Sequence, residues 1–436
     1  MQRFWQAFYS YITVPSLWTT LRLLGIFNGK VRRGIRGRRG LFETLAHQVS
    51  ALGPGTRIWF HSSSMGEFEQ AKPIIAELKR RFPSTRVIVT FFSPSGFEHS
   101  KNYLLADVIS YLPFDTRRSA VRFLDLVSPD AAIMVRYDIW PNHIWELRRR
   151  HIPTMIANAT MRRQTKRRIP FVRNFHHYIY NCIDLILTVS RTDVEAFGFF
   201  SLDYPRVEAI GDTRYDQVSI RSTEARKRHI IPPGIVAGRK VVVIGSSWPE
   251  DEEVILPAFF EMQRNNGNLL LIIAPHEPTL EHIEELEHLL AGKATSIRFS
   301  GLNEYRGENV IIVDSIGILL ILYAYAHIAF VGGSFRQGIH NVLEAAVYGI
   351  PVIFGPRHRN SQEPLMLVER GGAFVVNNSK ELYRTLHNLL EDDVARSTAG
   401  ERAASFVQSH TGATERFLQH LGPFLHQAPA REVDTP

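Results

Sequence analysis

Hydrophobic and polar positions alternate with a steady rhythm over most of the chain. From residue 57 to about 210, short runs rich in β-branched and aromatic residues each stop at a loop of Ser, Pro, Gly or Asp: "RIWFHSS", "RVIVTFF", "DVISYLP", "AAIMVRY", "TMIANA" and "DLILTVS". Between them apolar residues fall at helical spacing, as at Ala120, Phe123, Leu124 and Val127. Continuous apolar runs separated by helices predict a parallel sheet covered on both faces. The rhythm lapses over residues 212 to 239, which are polar, basic and carry Pro-Pro-Gly, and it restarts with "KVVVIGSS", "NLLLIIAP", "NVIIVDS", "HIAFVGGS", "IPVIFGP" and "AFVVN". The pattern predicts an α/β chain of two Rossmann-like, doubly wound parallel-sheet domains, 46–215 and 239–425. They are joined by a linker at 216–238, preceded by an apolar and basic segment at 1–45 and followed by a tail at 426–436. Two such domains make a cleft at their C-terminal strand ends, where these sheets bind ligands.

Composition agrees with that division. A chain of 436 residues is too long for one ordinary core, and 44% apolar with 22% charged residues excludes a disordered or fibrous chain. A net charge of +8 predicts attraction for anions, with the basic residues crowded into "GKVRRGIRGRRG" (29 to 40) and "RRRHIPTMIANATMRRQTKRR" (148 to 168). A solvated basic face is the plain alternative for those clusters. The lone cysteine, Cys182, points to a reducing compartment and to a small core residue.

The N-terminus changes the picture most. Residues 4 to 21 carry no charge and precede six basic residues between Lys30 and Arg39. Gln, Ser, Thr and Pro15 dilute the stretch below what a membrane span needs. The expectation is a segment lying in the membrane interface, with Trp5, Tyr9, Tyr11 and Trp18 at headgroup level and the basic cluster on anionic lipid. The alternative is a helix packed on the first domain.

Candidate chemistry sits at the strand ends. Glu67 opens the helical pattern after "FHSSSM", where a carboxylate serves as a cap or as a catalytic base. In "AFVGGSFRQGIHNVLEAAVYGIPVIFG" a strand ends in Gly332-Gly333-Ser334, where missing side chains admit a ligand and a hydroxyl can donate. Asn341 and Glu344 then fall three apart near the start of an expected helix, suited to a nucleotide's phosphate and ribose or equally to capping. The loops at Pro275-His276 and Ile316-Gly317-Ile318 aim at the same crevice. There is no Gly-x-Gly-x-x-Gly fingerprint and no P-loop, which disfavours dinucleotide redox and ATP hydrolysis. No spacing suggests a metal site, so neither metal nor cofactor is expected.

These motifs together resemble the Kdo transferases, the 3-deoxy-D-manno-octulosonic acid transferases of lipopolysaccharide assembly. "SSSMGEFEQAKP", "YLPFDT", "YDIWPN", "IPTMIANA", "DSIGILLILYAYAHIAFVGGSF", "GIHNVLEAA" and "GIPVIFGP" follow the family's order and spacing from about residue 30 onward. The resemblance implies a GT-B fold, a membrane-associated N-terminus, Glu67 as general base, and Arg214 as a basic group stabilising the transition state. It also implies CMP-binding residues at Pro275 and His276, at Ile316 to Ile318, and at Asn341, Val342, Leu343 and Glu344. Three motifs depart from the family: Arg136 replaces the first acid of Glu-x-Glu while Asp138 keeps the second, Ala274-Pro275-His276 stands for Pro-Arg-His and loses its Arg, and Ile318 replaces the acid of Met-Gly-Glu. Arg136 suits a contact with the Kdo carboxylate. The implied activity is inverting, metal-independent transfer of Kdo from CMP-Kdo to a phosphorylated, acylated lipid A precursor at the cytoplasmic face of the bacterial inner membrane. The rivals are another GT-B transferase using a UDP-sugar, a nucleotide-sugar epimerase, and a non-catalytic membrane or nucleic-acid binder. The last is disfavoured because the basic clusters lack interleaved aromatics.

Overall fold

The computed structural model describes residues 2–161, 165–265 and 267–426. It divides into two compact units, one of residues 1–217 with 411–436, the other of residues 218–410. In the first unit the apolar runs become strands β1 (Arg57–Ser62), β2 (Arg86–Phe91), β3 (Val108–Tyr111), β4 (Ala131–Val135), β5 (Thr154–Ala159), β6 (Leu185–Thr188) and β7 (Arg206–Ala209). They pair in parallel in the order β3-β2-β1-β4-β5-β6-β7. Alternation along β1 divides its side chains between two cores. Ile58 and Phe60 pack with Ile74 and Leu78, whereas Trp59 packs with Phe123 and Ile144.

The second unit holds β8 (Lys240–Ser247), β9 (Leu269–Pro275), β10 (Ser296–Arg298), β11 (Val310–Ile312), β12 (Ile328–Val331), β13 (Val352–Phe354) and β14 (Ala373–Val375). Their order is β10-β11-β9-β8-β12-β13-β14, again all parallel. In each sheet the first strand is flanked by the second and by a later one, which creates a topological switch point where strand ends leave a crevice. The expected doubly wound fold is thus present twice.

The boundaries differ from the expected ones. The last helix, Ala413–His426, belongs to the first unit, where Phe417, Leu418 and Leu421 join the core of Ile58 and Phe60. The Asp216 carboxylate accepts from Gly412 N at 2.6 Å and Thr414 N at 2.7 Å, fixing the chain's return. Burying each of these large side chains stabilises the unit by about 1.5–3 kcal/mol, a preference that sequence order does not reveal. The expected linker begins inside the helix Thr213–Ala225.

The N-terminal stretch is helical through Gln2–Phe8, a π-turn at Tyr9–Thr13, and Val14–Phe27, with Pro15 tolerated in the first turn after the π-turn. Trp5 and Tyr9 do not lie at headgroup level. They are buried, Trp5 against Phe171 and Phe175 and Tyr9 against Trp145 and Phe175, because large rings gain most by leaving water. Tyr11, Ile12, Leu23, Ile26 and Phe27 stay exposed. The segment is thus packed on the first unit on one side and uncovered on the other. No helix among the described residues is long and apolar enough to cross a membrane. Arg38 of the basic cluster is also turned inward, donating to the carbonyls of Leu112 and Phe92 at 2.8 Å and of Gly34 at 2.7 Å. In the second cluster, residues 162–164 lie outside the described residues. Cys182 is a buried core residue, its thiol pushed up to about 11 by burial.

Candidate active site

Strand β1 delivers His61 and Ser62 to the switch point of the first unit, and the helix Met65–Arg81 starts directly after Ser64. Glu67 is both of the things its position allowed. Its Oε2 accepts from Ser63 N at 2.7 Å and Ser64 N at 3.1 Å, completing a capping box. Its Oε1 has no hydrogen bond among the described residues, so one oxygen holds the helix and the other is available for a proton. Burial pushes the Glu67 pKa up, and the Asp138 charge adds to this against the Ser63 and Ser64 amides and Arg136. Gly66 has nothing within 4 Å of where a Cβ would stand, which leaves space beside the acid.

Asp138 is the counterpart. Burial works to raise its pKa, but the hydrogen bond and charge of His61, with donors from Trp140 and Ser63, overcome this and hold it below the ordinary value. His61 Nε2 lies 2.9 Å from Asp138 Oδ2, and its Nδ1 lies 2.9 Å from Thr90 Oγ1, which also accepts from Trp59 Nε1 at 2.8 Å. An ionised carboxylate only accepts and an indole only donates. For a neutral ring this assigns the proton to Nε2, with Thr90 giving its own hydrogen to Nδ1. Two carboxylates whose pKa values are driven apart in this way are the signature of an acid and base assignment. Sequence reasoning missed His61 and Thr90. The one available signal was a polar residue at an inward position of each of two adjacent strands.

Arg136 follows β4 in the left-handed region, with φ 65. Its Nε is buried without a hydrogen-bond partner. Arg214 is tied to the buried Asp212, through Nε at 2.8 Å and Nη2 at 2.7 Å, and its backbone N also donates to Asp212. The neighbouring Thr213 hydroxyl donates to Gln70 O at 2.7 Å, which sets Arg214 beside the first turns of the Glu67 helix.

In the second unit the expected residues converge in part. Pro275 ends β9, and His276 N donates to Ser247 O of β8 at 2.9 Å. The His276 ring stacks on His340 with centroids 4.3 Å apart and lies 4.9 Å from Trp248, whose indole N–H donates to His340 Nε2 at 3.0 Å. Burial, then the His276 charge, lowers the His340 pKa to about 4. The Arg336 guanidinium caps this stack, 4.1 Å from the Trp248 ring centroid. Gly317 adopts φ 84 at the turn between Ile316 and Ile318, and Ile316 is exposed.

Two expectations are corrected here. Residues 333–342 are a loop, and the helix that follows is the single turn Leu343–Ala346, so Asn341 lies outside it and accepts from Leu343 N at 3.2 Å. A single turn with Val342 and Leu343 buried supplies no long helix start for phosphate. Gly332, Gly333 and Ser334 serve the chain itself. A Cβ on Gly332 would meet Ser246 O at 2.3 Å, and one on Gly333 would meet Gly338 O at 2.5 Å. The buried Ser334 hydroxyl accepts from Gly355 N at 2.6 Å. Asp251, absent from the sequence reading, holds this loop: its fully buried carboxylate accepts from Gly333 N at 2.7 Å, Phe335 N at 3.2 Å and Trp248 N at 3.0 Å. Among the described residues no group of three His, Cys, Asp or Glu could hold a metal ion.

Comparison with known proteins agrees with this organisation. Residues 33–217 match the family model of 3-deoxy-D-manno-octulosonic-acid transferase (kdotransferase). The 3-deoxy-D-manno-octulosonic acid transferase of Haemophilus influenzae is 28% identical over 434 residues, covering 97% of this chain and 99% of its own. That of Aquifex aeolicus is 33% identical over 337 residues, covering 76% of this chain and 86% of its own. Among solved structures, S. aureus MnaA with UDP superposes with a TM-score of 0.57 at 14% identity, over 87% of this chain and 100% of that one. The Neisseria meningitidis UDP-GlcNAc 2-epimerase bound to UDP-GlcNAc gives 0.52 at 15%, over 84% and 100%. At such identities these two proteins share the GT-B fold alone. The chain belongs to the Kdo transferase family and is a glycosyltransferase of lipopolysaccharide biosynthesis.

Proposed function

We propose that the protein transfers Kdo from CMP-Kdo to a phosphorylated, acylated lipid A precursor, with inversion and without a metal, at the cytoplasmic face of the inner membrane. The observation that carries the reading is Glu67, a buried acid with one oxygen fixed by two amides, the other unengaged, and a pKa raised beside an anionic Asp138. Oε1 takes the proton of the acceptor hydroxyl as the new bond forms, a role worth roughly 10²–10⁴-fold in rate. Charge on the departing CMP phosphate is met by Arg214, which the Asp212 carboxylate holds in one orientation. The donor's nucleotide lies along Pro275 and His276, Ile316 to Ile318, and Asn341 to Glu344. The exposed apolar side of residues 11–27 rests on the membrane surface that presents the acceptor.

The test is incubation of the full chain with labelled CMP-Kdo and a tetra-acylated lipid A precursor, with and without chelator. Label moving to the lipid in both supports the reading. Label that never reaches lipid refutes the transfer, and activity lost to chelator refutes its metal independence.

A further inference from the structure

We infer that His282, as an imidazolium, is a positioning residue for the nucleotide: it ties the loop 276–279 to the end of β8 and so holds His276 in place. The inference rests on the proposed lie of the donor's nucleotide along Pro275 and His276. Loop 276–279 runs from the end of β9 to the helix Leu280–Leu290. At its start His276 N donates to Ser247 O at 2.9 Å, and one residue on Glu277 O lies 3.3 Å from His282 Nδ1. The other ring nitrogen, Nε2, lies 3.1 and 2.9 Å from the two oxygens of Glu252, on the helix Pro249–Asn265. Glu252 Oε1 also accepts from the fully buried Ser247 hydroxyl at 2.6 Å. The end of β8, both helices and the loop thus meet at one carboxylate and one ring.

The acceptors fix the state of that ring. A neutral imidazole has one N–H to give, whereas a carbonyl and an ionised carboxylate only accept. With an acceptor at each nitrogen, both bonds form only when the ring carries two protons. Glu252 calls for the same charge, since it is 3% exposed and a buried carboxylate is costly until it is paired. Among the described residues His282 is the one cation within ion-pair distance of it. The hydrogen bond to Glu252 raises the His282 pKa above its ordinary value. Burial opposes this, and the Glu252 charge, the Glu277 carbonyl and Glu285 on the same helix add to the rise. Losing the second proton costs one of the two bonds, so the loop that carries His276 is freed from the end of β8 as pH rises through that pKa.

The experiment measures dissociation constants for CMP by calorimetry on the full chain from pH 6 to 9, for the unaltered protein, His282→Gln, His282→Lys and Glu252→Gln. His282→Gln still donates to Glu252 but carries no charge, and CMP binding about tenfold weaker at pH 7 is expected. His282→Lys supplies the charge at every pH and restores affinity to within threefold, which a purely structural role for the ring would not predict. Relative to His282→Lys, the unaltered protein weakens by about the same tenfold as pH rises, a ratio from which titration of the ligand's phosphate cancels. Glu252→Gln removes the partner and leaves the ring, so it reads the same tie, with the same loss, if a His282 variant does not fold. His282→Gln or Glu252→Gln binding CMP within twofold of the unaltered protein overturns the inference, and so does equal weakening in His282→Gln and His282→Lys. Absence of CMP binding by the unaltered protein overturns the nucleotide's placement and this inference with it, whereas CMP bound equally by all four proteins overturns the inference alone.

Discussion

Each unit places an acid near the start of the helix that follows its first strand, and the two acids do opposite things. In the first unit Glu67 uses a single oxygen to hold two backbone amides, which leaves the other unengaged at a raised pKa. In the second, Asp251 spends both oxygens on three amides and is fully buried. The histidines divide likewise: His61 holds a neighbouring carboxylate as an anion, while His340 is kept uncharged by burial and His276. A carboxylate near a helix start is therefore a chemical group only when an oxygen is left over. The same fold leaves a carboxylate oxygen open in one unit and engages both in the other.

Changing the carboxylate with the unengaged oxygen gives the largest expected effect. Glu67→Gln keeps an acceptor for the Ser63 and Ser64 amides but cannot take a proton, so kcat falls roughly 10²–10⁴-fold while CMP affinity by calorimetry is unchanged. Retained turnover would erase the contrast between the two acids. In the second unit Asp251→Asn puts an amide where three donors converge, and destabilises that unit by about 2–4 kcal/mol in denaturant unfolding, with weaker CMP binding. An unchanged midpoint would mean the loop holds without its carboxylate.

His61→Phe sharpens the comparison. Without its donor Asp138 protonates more readily, its charge near Glu67 fades, and the acid limb of kcat/KM moves to lower pH with kcat down about tenfold. His61→Gln, which can still donate, restores the limb. A loss of stability with no movement of the limb would reduce His61 to a core residue.

The smallest effect concerns His340. Its folded pKa of about 4 lies below the ordinary imidazole value of 6.5, so the stability of the neutral ring is complete above 6.5 and is lost as pH falls toward 4. About 1 kcal/mol is expected, since water reaches part of the ring. Thermal unfolding followed from pH 8 to 4 should show a shallower acid decline in His340→Asn.

The alternation of apolar runs with helical spacing determined both sheets, because a strand buried on two faces must be apolar throughout and parallel pairing needs a crossover helix. Motif order likewise singled out Glu67, Asp138 and His276 as candidates, because residue type at a strand end is legible locally. Sequence alone did not reveal that Phe417 and Leu421 return to the first core, that Trp5 and Tyr9 face inward, or that Ser334 and the glycines before it serve the backbone. Those outcomes depend on which surface lies opposite, and nothing local to a residue encodes its distant neighbours. The same holds for the acids: residue type made Glu67 and Asp251 alike, and only the number of amides that folding brought to each carboxylate set them apart.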